Sequence, residues 1–174
     1  NGVKLPELAG PLKAAGLDRV NMSADSLQPD RIAKIARRSL GFDPVIGAEA
    51  AQAAGLGPVK INVVVMKGVN DMEIESMARL TFTKPWTIRF IEVMPMRQNP
   101  GAQVGQYVST ATIRSRLEAI GPWTPVDTGP LAGPASEFRY EGALGSVGFI
   151  TPLTHTFCGS CNRVRLTTAG KLRL

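Results

Sequence analysis

The sequence predicts an α/β fold in which βαβ units build a parallel sheet over residues 1–121 and a small β-rich region follows over 122–174. Three observations carry this. Short β-branched runs alternate with longer, Ala-rich amphipathic runs as far as about residue 120, the rhythm of strands and crossover helices. The texture then changes to the Pro/Gly-rich stretch PWTPVDTGPLAGPA, which reads as a boundary. Beyond it the apolar runs are short and separated by glycine turns, as in hairpins.

The elements follow in order. A strand is expected over 20–23, after Gly16. Helices over 29–38 and 44–54 open on Pro29 and Pro44, where the missing proline N–H costs nothing. A strand over 59–66 follows the helix-stopping Gly55. A helix over 71–82 has a defined start if Asn70 and Glu73 form a capping box, each side chain accepting from the other's backbone N–H. A strand over 87–94 follows Pro85, PMRQNPGAQVGQY is a loop, and Ser109 caps a helix running to 120. In the second region, strands over 137–140 and 146–150 flank a glycine turn, and 162–168 with 171–174 forms a hairpin around Ala169-Gly170.

At 174 residues, 44% hydrophobic and 20% charged, the chain has enough apolar surface for a core and lacks the signature of disorder. No apolar run approaches the ~20 residues of a spanning helix, and no basic segment followed by an apolar block opens the sequence. A cytoplasmic protein with no membrane partner is expected. The net charge of +6, from 20 Lys and Arg against 14 Asp and Glu, gives only a weak average attraction for polyanions. It matters if the cations converge.

A parallel strand covered on both faces should be almost continuously apolar. These are not. In VKINVVVM, a period of two puts Lys60 and Asn62 on one face, and in VNMSAD it aligns Asn21, Ser23 and Asp25. In IRFIEVM, Arg89 and Glu92 fall on opposite faces, so only one of them shares that cavity. A lone polar residue in a strand is more often an edge or snorkelling residue, but three strands doing so together point to a lined site. In a barrel such faces meet at the axis and active sites gather at the strands' C-terminal ends, toward which Ser23, Asn62 and Met94 lie.

The stretch HTFCGSCNRVRL holds the only histidine and both cysteines. A redox pair should open a helix, whereas Arg163, Val164, Arg165 and Leu166 alternate like a strand. A zinc site would have at most three ligands, His155, Cys158 and Cys161, and an iron–sulfur cluster would be one or two thiolates short. Two inert buried thiols are the bland alternative. The adjacent guanidinium groups, which grip carboxylate or phosphate bidentately, favour a metal site that also holds an anionic substrate.

LDRVNMSADSL, VKINVVVMKGVND, IRFIEVMPM and GFITPLTHTFCGSCNRVRLTTAGKLRL resemble, in order and spacing, the second half of the MoaA family, the GTP 3′,8-cyclases of molybdenum-cofactor biosynthesis. That resemblance implies an incomplete (β/α) radical-SAM barrel followed by a small β-rich C-terminal region, with a 4Fe-4S cluster at each end. One cluster would cleave S-adenosyl-L-methionine to a 5′-deoxyadenosyl radical. The radical takes hydrogen from the ribose 3′ carbon of GTP, giving (8S)-3′,8-cyclo-7,8-dihydroguanosine 5′-triphosphate. The resemblance makes Cys158 and Cys161 two of three ligands of the second cluster. Lys60, Arg163, Val164 and Arg165 would hold the triphosphate, Ser23 and Met94 would contact S-adenosylmethionine, and Arg89, with Asn62 nearby, would add charge and polarity to the pocket. The family's CxxxCxxC motif and third C-terminal cysteine do not occur, so the chain reads as a segment of a longer protein that is inactive alone. Exposed strand edges then lead us to expect a homo-oligomer, and the family implies a cyclic pyranopterin synthase acting on the product.

The rival is a small metal- or nucleic-acid-binding module with a Cys/His zinc site. It needs aromatic platforms interleaved with basic residues, whereas only 6% of the residues are aromatic, so no nucleic-acid partner is expected.

Overall fold

The computed structural model describes residues 1–37, 41–94, 105–127, 129, 134–154 and 165–173, with Arg165 and Arg173 described by backbone alone. Six strands form one mixed sheet. They are β1 (Asn21–Ser23), β2 (Lys60–Val65), β3 (Thr87–Glu92), β4 (Trp123–Pro125), β5 (Ser136–Tyr140) and β6 (Ser146–Ile150), in the order β1-β2-β3-β6-β5-β4. The first four in that order are mutually parallel, while β5 and β4 run antiparallel along the far edge. Thus β6, from beyond the expected boundary at 121, hydrogen-bonds directly to β3. A two-stranded hairpin, β7 (Arg165–Leu166) with β8 (Leu172–Arg173), stands apart.

Helices cover one face of the sheet. These are α1 (Leu5–Ala14), α2 (Pro29–Ala36), α3 (Pro44–Ala53), α4 (Ile74–Thr83) and α5 (Thr110–Glu118), with a 3₁₀ turn at Asp71–Glu73 before α4. Period-two alternation sends Met22, Ile61, Val63, Val65, Ile88, Phe90, Val147 and Phe149 into this core, against Ala48 and Ala51 of α3, Met77 and Ala78 of α4, and Ile113 and Leu117 of α5. Burial is complete for several of these, which accounts for most of the apolar stabilisation.

Sequence and structure differ at three places. Helix α1 is absent from the sequence reading because Gly10 and Pro11 oppose helix propensity; it is held instead by packing, with Leu5 and Ala9 buried and α1 lying on α3. Strand β4 sits inside the expected linker, and its Pro125 is tolerated because β4 is an edge strand. The third difference is the capping box. Asn70 makes no side-chain cap bond; its Oδ1 accepts from Met66 N at 2.7 Å and its Nδ2 donates to Asp25 O at 2.6 Å and Val64 O at 2.8 Å. Its partners are the orphaned ends of β1 and β2, which offer more than a helix start does. Ser109 does cap α5, accepting from Thr112 N at 3.1 Å.

Gly145 shows why the β5–β6 turn needs glycine. A Cβ there would lie 2.1 Å from Trp86 O, while Gly145 N donates to Thr81 O and Ser146 N to that same Trp86 O. The close approach docks the turn against the start of β3.

Candidate functional site

The face of the sheet opposite the helices is polar toward the strands' N-terminal ends and turns apolar at the row of Val64, Ile91 and Ile150. The registers Ser23↔Asn62, Asn62↔Arg89, Arg89↔Gly148 and Gly148↔Glu137 set one row across five strands. A second row nearer the strands' N-terminal ends runs Asn21↔Lys60, Lys60↔Thr87 and Thr87↔Ser146. The expectation that Lys60, Asn62 and Arg89 share a face, with Glu92 on the other, therefore holds. Burial deepens across the face: Asn21 and Ser23 are exposed, Lys60 and Asn62 half-buried, and Arg89 only 3% exposed. Asn62 Oδ1 is buried with no hydrogen-bond partner among the described residues.

The sheet is curled about this face. Lys60 on β2 and Glu137 on β5 are three strand spacings apart, about 14 Å on a flat sheet, yet Lys60 Nζ lies 3.4 Å from Glu137 Oε1. Ser146 Oγ, between them, donates to Glu137 Oε2 at 3.3 Å and to Thr87 Oγ1 at 3.1 Å. Gly148 gives Arg89 and Glu137 room, since a Cβ there would sit 3.1 Å from Arg89 Cγ and 3.3 Å from Glu137 Cγ. A cavity of about 300 Å³ opens at this end, lined by Lys60 with Arg19, Arg139, Thr87, Ser146 and Glu137. Three cations thus converge where the net charge alone said little.

Ser23 and Met94 lie nearer the strands' C-terminal ends than Lys60 does, by different amounts. Ser23 closes β1 and borders a cavity of about 510 Å³ with Asp25, Ser26 and Phe42. Met94, two residues beyond β3, is exposed. Ser23 stands in the row of Asn62 and Arg89, two residues or about 7 Å along the strands from Lys60, whereas Met94 lies about 20 Å from it, beyond the apolar row Val64↔Ile91↔Ile150. The structure therefore groups Lys60, Ser23, Asn62 and Arg89 in two adjacent polar rows and leaves Met94 apart from them. Cys158, Cys161, His155, Arg163 and Val164 lie outside the described residues, as does the Arg165 side chain, though its backbone forms β7. Among the described residues no group of three or more His, Cys, Asp or Glu side chains is arranged to hold a metal ion.

Asp25, which borders the same cavity as Ser23, is tied to the neighbouring strand. Its Oδ1 accepts from Val64 N at 2.8 Å, extending the β1–β2 ladder past the end of β1, and burial pushes its carboxyl above the usual range despite that bond. Below it, Glu73 accepts from Ser26 Oγ at 2.7 Å and Leu27 N at 2.8 Å and pairs with Arg31. Burial opposes its ionisation, but these donors outweigh it and hold its carboxyl below the ordinary range. The turn carrying Ser23 into α2 is thereby pinned from beneath.

Glu92 is the residue whose importance sequence reasoning missed. It is 1% exposed, and its Oε1 accepts from Tyr107 OH, Thr110 N, Thr110 Oγ1 and Thr154 Oγ1 at 2.9–3.1 Å. Oε2 accepts from Leu153 N and Thr154 N, each at 3.3 Å. Burial disfavours its charge, yet these donors bring its pKa below the usual value. One carboxylate joins the end of β3, the start of α5 and the segment leading toward Cys158. Its only sequence signal was a charge in an apolar strand on the helix face.

The aromatic platforms required by a nucleic-acid module are not presented by the clustered rings. Trp123, Phe138, Tyr140 and Phe149 pack on one another with centroids 5.0–5.9 Å apart, and Tyr140 is fully buried. No helix among the described residues is long and apolar enough to cross a membrane.

Comparison with known proteins agrees with this architecture. Residues 86–174 match the family model Molybdenum Cofactor Synthesis C. The chain belongs to that family. Residues 1–81 match the model of the Radical SAM superfamily, in keeping with the parallel part of the sheet, so the MoaA-type resemblance read from the motifs is upheld. A GTP 3′,8-cyclase of Heliobacterium modesticaldum is 48% identical over 174 residues, which is 99% of this chain and 53% of that protein. GTP 3′,8-cyclases of Moorella thermoacetica and Petrotoga mobilis are 48% and 46% identical over 173 residues. The chain spans about half the length of the curated relatives it matches.

Proposed function

We propose that this chain supplies the GTP-binding half of a GTP 3′,8-cyclase. The observation that supports it best is the converging set of Lys60, Arg19 and Arg139 beside the polar row of Ser23, Asn62 and Arg89. Two reactants bound side by side on one concave face can meet there, which supplies orientation and excludes water. Lys60 gives the triphosphate a point charge, and Arg163, Val164 and Arg165 add donors from the cysteine-bearing stretch. Ser23 offers a hydroxyl, and Met94 a soft apolar surface, to S-adenosylmethionine. Arg89 and Asn62 present charge and an unpaired acceptor to whatever lies between.

Thiolates are the donors that iron–sulfur clusters take, and Cys158 and Cys161 are the chain's two. They fit as two of three ligands to a 4Fe-4S cluster with an open iron. Such clusters, when bound, supply the electron for S-adenosylmethionine cleavage and a site for the guanine. We extend the same reading to a cytoplasmic, homo-oligomeric enzyme whose product is consumed by a pyranopterin-forming synthase, and to a division of the chain near residue 121.

The test uses the protein expressed from its natural reading frame and reconstituted with iron and sulfide without oxygen. S-adenosylmethionine cleavage to 5′-deoxyadenosine should depend on GTP, and Cys158→Ser or Cys161→Ser should abolish cyclised nucleotide. GTP-independent cleavage, or cyclisation that survives both substitutions, would refute the reading.

A further inference from the structure

Lys60 is not free to receive a phosphate. Its ammonium, largely buried, is already paired with Glu137, itself 9% exposed. The pair is built rather than incidental: the sheet curls to bring β2 and β5 together, Gly148 leaves the space, and Ser146 orients the carboxylate from below. Among the described residues no other carboxylate lines the cavity that Lys60 shares with Arg19 and Arg139. A phosphate oxygen accepting from Lys60 Nζ would stand a few ångströms from the Glu137 carboxylate, close enough for strong like-charge repulsion in a partly buried site.

We propose that Glu137 is a specificity-determining residue: an internal anion that occupies Lys60 until a polyphosphate displaces it. The proposal rests on the reading of Lys60 as a triphosphate ligand. A lone phosphate offers Lys60 little more than Glu137 does, so exchange gains nothing. A chain of phosphates that also reaches Arg19 and Arg139 replaces one ion pair by several. Glu137 therefore weakens by the same factor every anion that takes Lys60, and only an anion long enough to reach Arg19 and Arg139 as well recovers that loss, so a carboxylate in a cationic cavity becomes a filter for length.

The experiment measures binding of inorganic tripolyphosphate and orthophosphate by calorimetry to the protein from its natural reading frame, as wild type, Lys60→Ala, Glu137→Gln and Glu137→Asp. Glu137→Gln should tighten tripolyphosphate about tenfold and orthophosphate by a similar factor, while Lys60→Ala weakens tripolyphosphate. If Lys60→Ala weakens binding but Glu137→Gln leaves it unchanged or weaker, the counterion proposal fails and the reading of Lys60 stands. If neither substitution alters binding, both fail. Should Glu137→Gln not fold, Glu137→Asp draws the carboxylate back by one methylene and must tighten tripolyphosphate by a smaller factor; unchanged or weaker binding overturns the proposal.

Discussion

Replacing Glu92 by glutamine keeps the side chain's size and removes its second acceptor. Glu92 takes four hydrogen bonds on Oε1 and two on Oε2. A glutamine that keeps its oxygen at the Oε1 place must turn its NH₂ toward the amides of Leu153 and Thr154, leaving two buried donors facing a donor. Each such loss costs about 1 kcal/mol at these long 3.3 Å contacts, and the remaining four bonds lose their charge assistance, for a total of about 3 kcal/mol. For a chain of this size that is a fall in Tm of about 6–12 °C. Thermal unfolding reads the total, and amide hydrogen exchange locates it. Protection should fall first at Thr110, Leu153 and Thr154, while the β2–β3 amides keep theirs. A Tm within a degree or two of wild type, with those amides still protected, would refute the assignment of Glu92 as the tie between three segments.

Further outcomes follow from the same geometry. Gly145→Ala should destabilise by about 2–4 kcal/mol, because its Cβ would collide with Trp86 O and break the docking of the turn, measured as a lower urea midpoint. Asn70→Ala should cost about 3 kcal/mol by the same assay, since three buried backbone groups lose their partner. Glu73, Glu75 and Glu92 have lowered pKa values, so their stabilisation is present above the ordinary carboxylate range and lost as pH falls through their folded values. Acid unfolding of Glu92→Gln should therefore depend less on pH than that of wild type. Asp25 is shifted the other way, so Asp25→Asn, which keeps the Val64 bond, should gain over wild type at neutral pH and lose that gain in acid.

Most of the strand framework was legible because period-two alternation survives in β2 and β3 whatever covers them. The polar face of Lys60 and Asn62, with Ser23 on the neighbouring strand, was legible for the same reason, while which of Arg89 and Glu92 joins it needed the register. What sequence could not supply is the curl of the sheet, and so the meeting of Lys60 with Glu137, residues 77 apart in the chain. Nor could it supply the fate of Asn70, whose local capping pattern was overridden by the greater need of two strand ends. The proline-bearing α1 and β4 were hidden because packing and an edge position relieve penalties that local propensity counts in full.

The central claim is that this polar face brings S-adenosylmethionine and GTP together. The most direct measurement is the mass of 5′-deoxyadenosine formed by the reconstituted protein from GTP deuterated at the ribose 3′ carbon. Transfer of that deuterium into 5′-deoxyadenosine, abolished by Lys60→Ala at subsaturating GTP, is the predicted result. 5′-Deoxyadenosine that carries no deuterium would contradict the account.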